Sequence, residues 1–423
     1  MCVFTQMLSK LRLDSSLFNV HQRRAGMKIK PTAGLSKACL AVLVCLGALN
    51  AKAGATVNFG DDQSVTLGLG LRTSYDSNNA SGQPNGQSFN VDNLRLYSNW
   101  QFSKEFKATF DTEYNSYTNA VSLLDAFVQY EPSQSFNVWF GRLLPAADRA
   151  DMEGPFYITS WNYPGVSSVY KEQYLDGRDQ GMTLWGVVAN DRLTYALGAY
   201  QGMGKNSGSA NQYNGGGGSS DLMYTARLNY NFWDTKVDPA YFASASYFGT
   251  HDVLALGLAG MTQKNGTLNT AGNASYSAYN VDFLLEKMVL NGGAVTLSGA
   301  AYKVDTQNTL DNFCTATNGA LPGGCWGGPT YQGRSYIGTA AFLFPQKIGY
   351  GKFQPYFQHQ DFKPDSFDTG IGAGQTVRTQ QNEYGVNYVI KGYSAKLTAA
   401  YTQTLMAGST PSNSFVLGAQ FQY

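Results

Sequence analysis

The chain is dominated by segments of about ten residues in which apolar and polar side chains alternate. The last one, 414–423, runs Ser-Phe-Val-Leu-Gly-Ala-Gln-Phe-Gln-Tyr, so every second residue from Phe415 onwards is apolar. Successive side chains of a β-strand point to opposite faces, so one face of this segment is apolar and the other is mostly small or polar. That pattern is typical of a strand with lipid on one side and a water-filled lumen on the other.

Comparable segments recur from residue 64 onwards. His251 and Asp252 make segment 241–263 ambiguous, since they are compatible with a turn between two strands. Counting that segment once gives sixteen strands, with long connections at one end and short ones at the other, as bacterial barrels have. The sequence therefore predicts an all-β fold, a sixteen-stranded antiparallel transmembrane β-barrel whose last strand pairs with its first. The predicted strands are 64–75, 90–102, 106–117, 122–131, 135–142, 180–189, 192–201, 222–232, 241–263, 276–288, 294–305, 333–345, 351–361, 377–390, 393–404 and 414–423.

The first 53 residues follow another pattern. An apolar run, 38–49, comes after several basic residues and is followed by the small-residue site Ala-Lys-Ala that ends at Ala53. The run is shorter than the roughly 20 residues that a spanning helix needs, and its flanks are typical of a secretory signal peptide. We expect cleavage near Ala53, with residues 1–26 an overlong start, and one barrel domain over 54–423.

Removing this presequence changes the charge of the chain. Residues 1–53 hold 8 of the 30 basic residues and 1 of the 29 acidic residues, which leaves 22 basic against 28 acidic residues, a formal charge of −6. An acidic chain gives no support for nucleic-acid binding, and any preference for anions would depend on local placement of charge.

Two cysteines follow the presequence, Cys314 and Cys325, in a segment rich in Gly, Pro, Thr and Asn. Exported proteins reach oxidising compartments, so we predict a disulfide between them. Only two histidines follow the presequence, His251 and His359, which is too few for an imidazole metal site. No metal and no cofactor is expected.

The longest connection, 143–179, carries most of the candidate chemistry. It follows Gly141-Arg142 and contains Asp148-Arg149, Gly154-Pro155-Phe156 and Trp161-Asn162-Tyr163-Pro164. Loops of this length in a compact fold are usually functional or disordered. In these residues the chain resembles the sixteen-stranded general porins and, more closely, the phosphate-selective porin O/P family. The resemblance implies a third outer loop that folds into the barrel and narrows it, and a homotrimer.

Two sets of charged residues are candidates for the pore. The first would form the constriction, either as a field across the lumen or as local pairs that fix the fold of the loop: Arg142, Asp148, Arg149, Asp151, Glu153, Arg178 and Asp179. The second faces the lumen by alternation: Arg72, Arg95, Lys107, Asp111, Glu113, Arg227 and Lys396. Because further acidic residues also point inward, the lumen is mixed in charge, and small anions such as phosphate and small polar amides both stay open as solutes.

Together these observations predict a passive porin of the Gram-negative outer membrane and not an enzyme. Its expected partners are outer-membrane lipid, lipopolysaccharide and the barrel-assembly machinery, which would recognise Phe421 and Tyr423. A barrel-based enzyme is the first alternative, but neither His251 nor His359 lies in a recognisable catalytic motif. A sheath for an electron-transfer partner is the second, although the sequence has no Cys-x-x-Cys-His haem site.

Overall fold

The structure is a computed structural model of the chain. It describes residues 54–79, 86–115, 119–164, 177–202, 221–235, 237–269, 272–307, 332–365 and 378–423. The predicted presequence 1–53 and the predicted disulfide between Cys314 and Cys325 lie outside these residues. In the described part of the chain, no helix is both long and apolar enough to cross a membrane.

The described residues form seventeen strands, one short α-helix, α1, which spans Arg149–Glu153, and one 3-10 turn at Leu290–Gly292. The strands are β1 Ala55–Asn58, β2 Ser64–Asn79, β3 Gly86–Gln101, β4 Phe106–Asn115, β5 Ala120–Ser133, β6 Phe136–Leu143, β7 Asp179–Val188, β8 Leu193–Tyr200, β9 Met223–Asn231, β10 Val253–Asn269, β11 Gly272–Val289, β12 Gly293–Asp305, β13 Gly333–Leu343, β14 Lys352–Pro364, β15 Thr379–Lys391, β16 Ala395–Met406 and β17 Ser412–Gln422.

Strands β2 to β17 close into one antiparallel barrel. Each pairs with the next along the chain, and β17 pairs back onto β2 from Asn413↔Asn79 to Gln422↔Gly70. This confirms the predicted sixteen-stranded fold and the predicted pairing of the last strand with the first. The short strand β1 was not predicted; it pairs with Ser64–Leu67 of β2, the part of that strand that β17 leaves without a partner.

The two faces of the barrel differ as the alternation predicts. On β17, Leu417 is 49% exposed and points outward, whereas Val416 is 4% exposed and Gln420 is fully buried on the inner side. Outward aromatic rings gather at the end of the barrel that holds both Gly54 and Tyr423, which we call the terminal end. Such a band is typical of the boundary between lipid and water. Its members include Phe102, Phe106, Tyr130, Phe136, Phe232, Trp233, Phe344 and Phe353.

The predicted strand 241–263 is only partly a strand. Strand β10 begins at Val253, and the preceding residues fold into the lumen from the terminal end. These residues alternate as a strand does, but they pair with the loop 144–164 and not with the barrel wall. The N–H of Ala243 donates to Met152 O (3.3 Å), and that of Ala245 donates to Tyr157 O (3.0 Å). A period of two in the sequence does not reveal which backbone a segment pairs with. The predicted strands 241–263 and 276–288 leave a long connection at 264–275, which is wrong, since β10 and β11 pair as far as Asn269↔Gly272.

Candidate functional site

The third outer loop folds into the barrel, and its described part, 144–164, crosses the lumen. Helix α1 lies near the start of this loop, and the carboxylate of Asp148 caps the helix by accepting from the N–H of Asp151 (3.0 Å). All five residues of α1 are buried. Because water cannot satisfy the polar groups of a segment buried in this way, the wall of the barrel must do so.

Glu383 of β15 holds the tip of this inner loop. Its Oε1 accepts from the N–H of Trp161 (2.7 Å) and from the hydroxyl of Tyr356 (2.6 Å). Its Oε2 accepts from the side-chain amide of Asn162 (2.8 Å) and, at 3.3 Å, from that residue's N–H. Charge-assisted bonds of this kind are roughly twice as strong as neutral ones. A single carboxylate thus anchors two successive residues of the loop.

Other inward side chains bind the loop's carbonyl groups. Arg72 donates to Trp161 O (2.6 Å), and its guanidinium lies 4.2 Å from the centre of the Trp161 ring. Lys396 donates to Ile158 O (3.1 Å), and the amide of Gln420 donates to Phe156 O (2.9 Å). The structure therefore places Arg72 and Lys396 on the inner face, buried under the loop.

Glycine at position 418 makes room for the tip. A Cβ built there would lie 2.4 Å from an atom of the Trp161 ring, well inside any real contact. The indole ring therefore lies directly on the backbone of β17. In the sequence, Gly418 was indistinguishable from the other small residues of its strand.

A second set of charges is buried beneath α1. Arg227 of β9 makes a two-pronged ion pair with Asp282 of β11 (2.7 and 3.0 Å) and also donates to Ala147 O (3.0 Å). Arg149 lies 3.5 Å from Asp282 and 3.8 Å from Glu153. Burial raises the pKa of Glu153 to about 8, although the charge of Arg149 opposes the shift. These groups pair with one another and fix the base of the loop.

The remaining constriction candidates are dispersed. Asp151 accepts from the hydroxyl of Tyr163 (2.5 Å), and Asp179 accepts from the N–H of Gly202 (2.7 Å). Arg178 forms a two-pronged pair with Asp125 on β5, with both distances 3.1 Å. Arg142 pairs in register with the outward residues Ala126 and Gln180, so it lies on the outer face of the barrel. Gly141, immediately before it, occupies the inward position.

Residues 237–248, which we call the inner strap, enter the lumen from the terminal end. The N–H groups of Tyr247 and Gly249 donate to Glu286 (3.0 and 2.8 Å), and the N–H of Ser246 donates to the hydroxyl of Tyr393 (2.8 Å). Sequence reasoning missed this element. The available signal was His251 and Asp252, which made segment 241–263 ambiguous and which lie immediately before the first residue of β10, Val253.

Loop and strap meet in an apolar core inside the barrel. Trp139 of β6 stacks near Phe127 of β5, with the ring centres 5.0 Å apart, and Tyr241 of the strap lies 5.2 Å from it. The inward side chains of β10, β11 and β14 are buried against these segments. A substantial part of the barrel interior is therefore packed like a protein core. The core includes Leu143, Leu144, Met152, Trp185, Tyr200, Met223, Tyr276 and Tyr302.

The wall formed by β3, β4 and β5 carries ion pairs on the inner face that are partly exposed. Arg95 pairs with Glu113 (2.9 Å), with side chains 10% and 15% exposed, and Lys107 pairs with Glu131, with side chains 33% and 17% exposed. Asp111 lies on the same face. Phe156 of the inner loop is fully buried against this wall, with its ring centre 5.3 Å from the Arg95 guanidinium, whereas the next residue, Tyr157, is 42% exposed.

Structural comparison identifies similar barrels, whereas no protein-family model and no curated protein matches the chain. OmpF of Salmonella typhi, in complex with daunomycin, is 12% identical with a TM-score of 0.56 over 87% of this chain and 100% of that one. An anion-selective porin from Comamonas acidovorans is 10% identical, with a TM-score of 0.53 over 86% and 100%. The channel DcaP of Acinetobacter baumannii is 11% identical, with a TM-score of 0.51 over 88% and 100%. At these identities the likeness shows the fold alone: the chain has the β-barrel fold of outer-membrane porins and channels.

Proposed function

We propose that this protein is a passive channel for small hydrophilic solutes in the Gram-negative outer membrane. The observation that carries the proposal is the contrast across the inner face. The loop and strap pack against strands from β5 to β17, while the β3 to β5 wall retains partly exposed ion pairs. Solutes would pass between this wall and Tyr157 of the loop, which is 42% exposed. If the interior served only as a packed core, we would expect the charged side chains of this wall to be fully buried or absent.

The charges along this route suggest a weak preference for cations. Asp111, Glu113, Asp125 and Glu131 face Arg95, Lys107 and Arg178, so the wall is slightly acidic. Rings of charge and pore diameter set selectivity in pores. Phosphate selectivity would need a surplus of basic side chains, and Arg72, Arg227 and Lys396 are buried under the loop and α1 instead. Membership of the phosphate-selective O/P family therefore stays a proposal on the sequence resemblance alone.

The same proposal extends to assembly. We infer a homotrimer, a boundary of lipid and lipopolysaccharide, export by the presequence with cleavage near Ala53, and recognition of Phe421 and Tyr423 by the assembly machinery. Phe421 and Tyr423 are 48% and 43% exposed on the outer face, so a partner can reach both. Trimers that resist detergent until heated would support the oligomeric state.

The test is the reversal potential of the purified, folded protein in planar bilayers under a salt gradient. We expect Arg95→Gln to increase cation preference and Glu113→Gln to reduce it, because each leaves its partner's charge uncompensated in the passage. Arg142→Gln is the matched control: it removes a predicted constriction charge that lies on the outer face, so ion preference should not change. Heat-modifiable migration on gels checks that each barrel is folded.

Two outcomes would contradict the proposal. Absence of stepwise conductance from folded wild-type protein would refute a channel. Unchanged ion preference in both wall variants, or a shift in Arg142→Gln, would refute the route along β3 to β5. The enzyme and cytochrome-sheath alternatives gain no specific observation from the described residues: His359 bonds the Asn382 side chain (2.8 Å), and His251 lies 3.5 Å from Asp234 at the rim.

A further inference from the structure

Three basic side chains lie side by side on the outer face of the barrel, at the end opposite the terminal end. Lys303 of β12 pairs in register with Arg334 of β13, and Arg334 pairs in register with Lys363 of β14. Arg334 is exposed between the buried residues Gly333 and Ser335, which places this basic row on the outer face. Like charges directly opposite one another on adjacent strands destabilise a sheet, and a bound anion would relieve that repulsion.

Two members of the basic row keep free hydrogen-bonding groups. Lys303 forms an ion pair with Asp365, and Asp365 also lies close enough to Arg334 to be affected by its charge. Neither Arg334 nor Lys363 makes a hydrogen bond or an ion pair with a described residue. One carboxylate thus serves three cations, and the row keeps a local surplus of positive charge.

The other described acids near the row are already bonded. Asp361 of β14 makes a two-pronged ion pair with Arg378, and Asp305 accepts from the N–H of Gln307 (2.8 Å). They are therefore engaged elsewhere and do not neutralise the two unpaired members of the row.

The height of the basic row matches the far boundary between lipid and water. Phe344, in the aromatic band at the terminal end, directly follows β13 and is ten residues from Arg334. At about 3.3 Å per residue and a strand tilt of about 40°, the two differ in height by about 25 Å, which is the height of the apolar band of such barrels. The exposed ring of Tyr336 lies two residues below Arg334, and that of Tyr279 pairs in register with Lys303. The row therefore lies at the level of lipid headgroups.

A shallow furrow of small side chains runs from the basic row toward the terminal end. Its floor is formed by Gly299 and Ala301 of β12 and by Gly338 and Ala340 of β13, and the two glycines pair in register. The ring of Phe283 covers Gly299, since a Cβ built there would lie 2.9 Å from it. Nothing lies within 4 Å of a Cβ built at Gly338, so the outer face is open at that point. An acyl chain can therefore lie close to the backbone of β13.

We propose that this face binds a phosphorylated, acylated lipid of the outer leaflet, with a phosphate between Arg334 and Lys363 and an acyl chain over Gly338. Lipid A, the membrane anchor of lipopolysaccharide, has this chemistry. Arginine and lysine bind phosphate through charge-assisted hydrogen bonds, and basic groups at headgroup level attract anionic lipids. A soluble acidic protein would contact the row and leave the furrow empty. The inference rests on the proposed outer-membrane location and gives the proposed lipopolysaccharide partner a specific site.

The test is native mass spectrometry of the full, folded protein in detergent. The probes are diphosphorylated lipid A, the same lipid without its phosphates, and inorganic phosphate. We expect lipid A to bind at least tenfold more tightly than the dephosphorylated lipid and to resist displacement by an equal concentration of inorganic phosphate. Equal binding of the two lipids would show that acyl chains alone make the contact and would overturn the phosphate site. Displacement by inorganic phosphate would overturn the assignment to a lipid.

Variants locate the site on the barrel. Arg334→Gln combined with Lys363→Gln removes both unpaired cations, and we expect about a hundredfold weaker binding of lipid A, about tenfold for each charge-assisted contact. Lys347→Gln is the matched control, because Lys347 is exposed in the turn between β13 and β14 at the terminal end, and affinity should not change. Gly338→Leu fills the furrow and should weaken the binding of both lipids.

Heat-modifiable migration on gels checks that each variant is folded, and each single variant of the cation pair serves if the double variant does not fold. Wild-type affinity in the folded cation variants, or an equal loss in Lys347→Gln, would refute the site. Lipid binding does not require ion passage, so failure of this site leaves the conductance prediction intact, and absence of conductance leaves the lipid site intact.

Discussion

Replacing Glu383 by glutamine should release the tip of the inner loop without unfolding the barrel. The carboxylate accepts from the N–H of Trp161 and from the amide and N–H of Asn162. Glutamine has nearly the same shape, but it is neutral, and one of its two acceptor oxygens becomes an NH₂ group. That group would face a donor of the loop.

The size of the effect follows from these contacts. A hydrogen bond to a charged group contributes about 1.5–3 kcal/mol and a neutral one about 0.5–1.5 kcal/mol. Weakening three such bonds by about 1 kcal/mol each lowers the anchoring free energy of the tip by about 3 kcal/mol, which is roughly a 150-fold increase in the released population. Arg72, Lys396 and Asn387 still hold loop carbonyls, so the tip should detach briefly and return.

Single-channel recording measures this directly. We expect Glu383→Gln to show more open-channel noise and brief steps of higher current than the wild type. Glu105→Gln is the matched control, because it makes the same substitution at an exposed residue of the turn between β3 and β4, outside the passage. If folded Glu383→Gln channels have wild-type noise and current, the tip is not held by this carboxylate and the reasoning is wrong.

Two further outcomes are expected. Burial raises the pKa of Glu153 to about 8 from an ordinary value of 4.5, so between these values the folded state keeps a proton that the unfolded state loses, and the free energy of unfolding should fall as pH rises. The unfolding temperatures at pH 5 and pH 9 should therefore differ less in Glu153→Gln than in the wild type. An equal difference in both proteins would contradict this. Arg149→Ala breaks a buried ion pair, so we expect a loss of about 3–5 kcal/mol in unfolding free energy with little change in ion preference; a stable variant with altered reversal potential would place Arg149 in the passage.

Much of the architecture was predictable because a barrel wall has a simple period. Side chains of β17 alternate between lipid and interior, and that alternation was readable in Phe415 to Tyr423 without any neighbour. The prediction that the barrel closes with sixteen strands followed from the even number of strands that such barrels have. The structure places the side chains of Arg72, Arg95, Arg227 and Lys396 on the inner face, and the side that a strand residue faces is a local property.

The positions of the loop charges were not predictable in the same way. Asp148, Arg149 and Glu153 were as compatible with a field across an open lumen as with local pairing. The choice depends on whether Asp282 and Arg227, far away in sequence, lie beneath α1, and no local pattern encodes that. Arg142 was misassigned because it was grouped with the loop that follows it, whereas it still belongs to β6 and alternates with the inward Gly141.

The sequence by itself determined that this chain forms a barrel, how many strands close it and which residues of each strand can meet lipid. Those properties depend on alternation along a single strand and on the even number of crossings. Only the tertiary structure decided what occupies the interior. The inner strap alternates like a wall strand, yet it pairs with the loop inside the barrel. Pairing between distant segments depends on which backbones come together in space, and a period of two is the same for each of them.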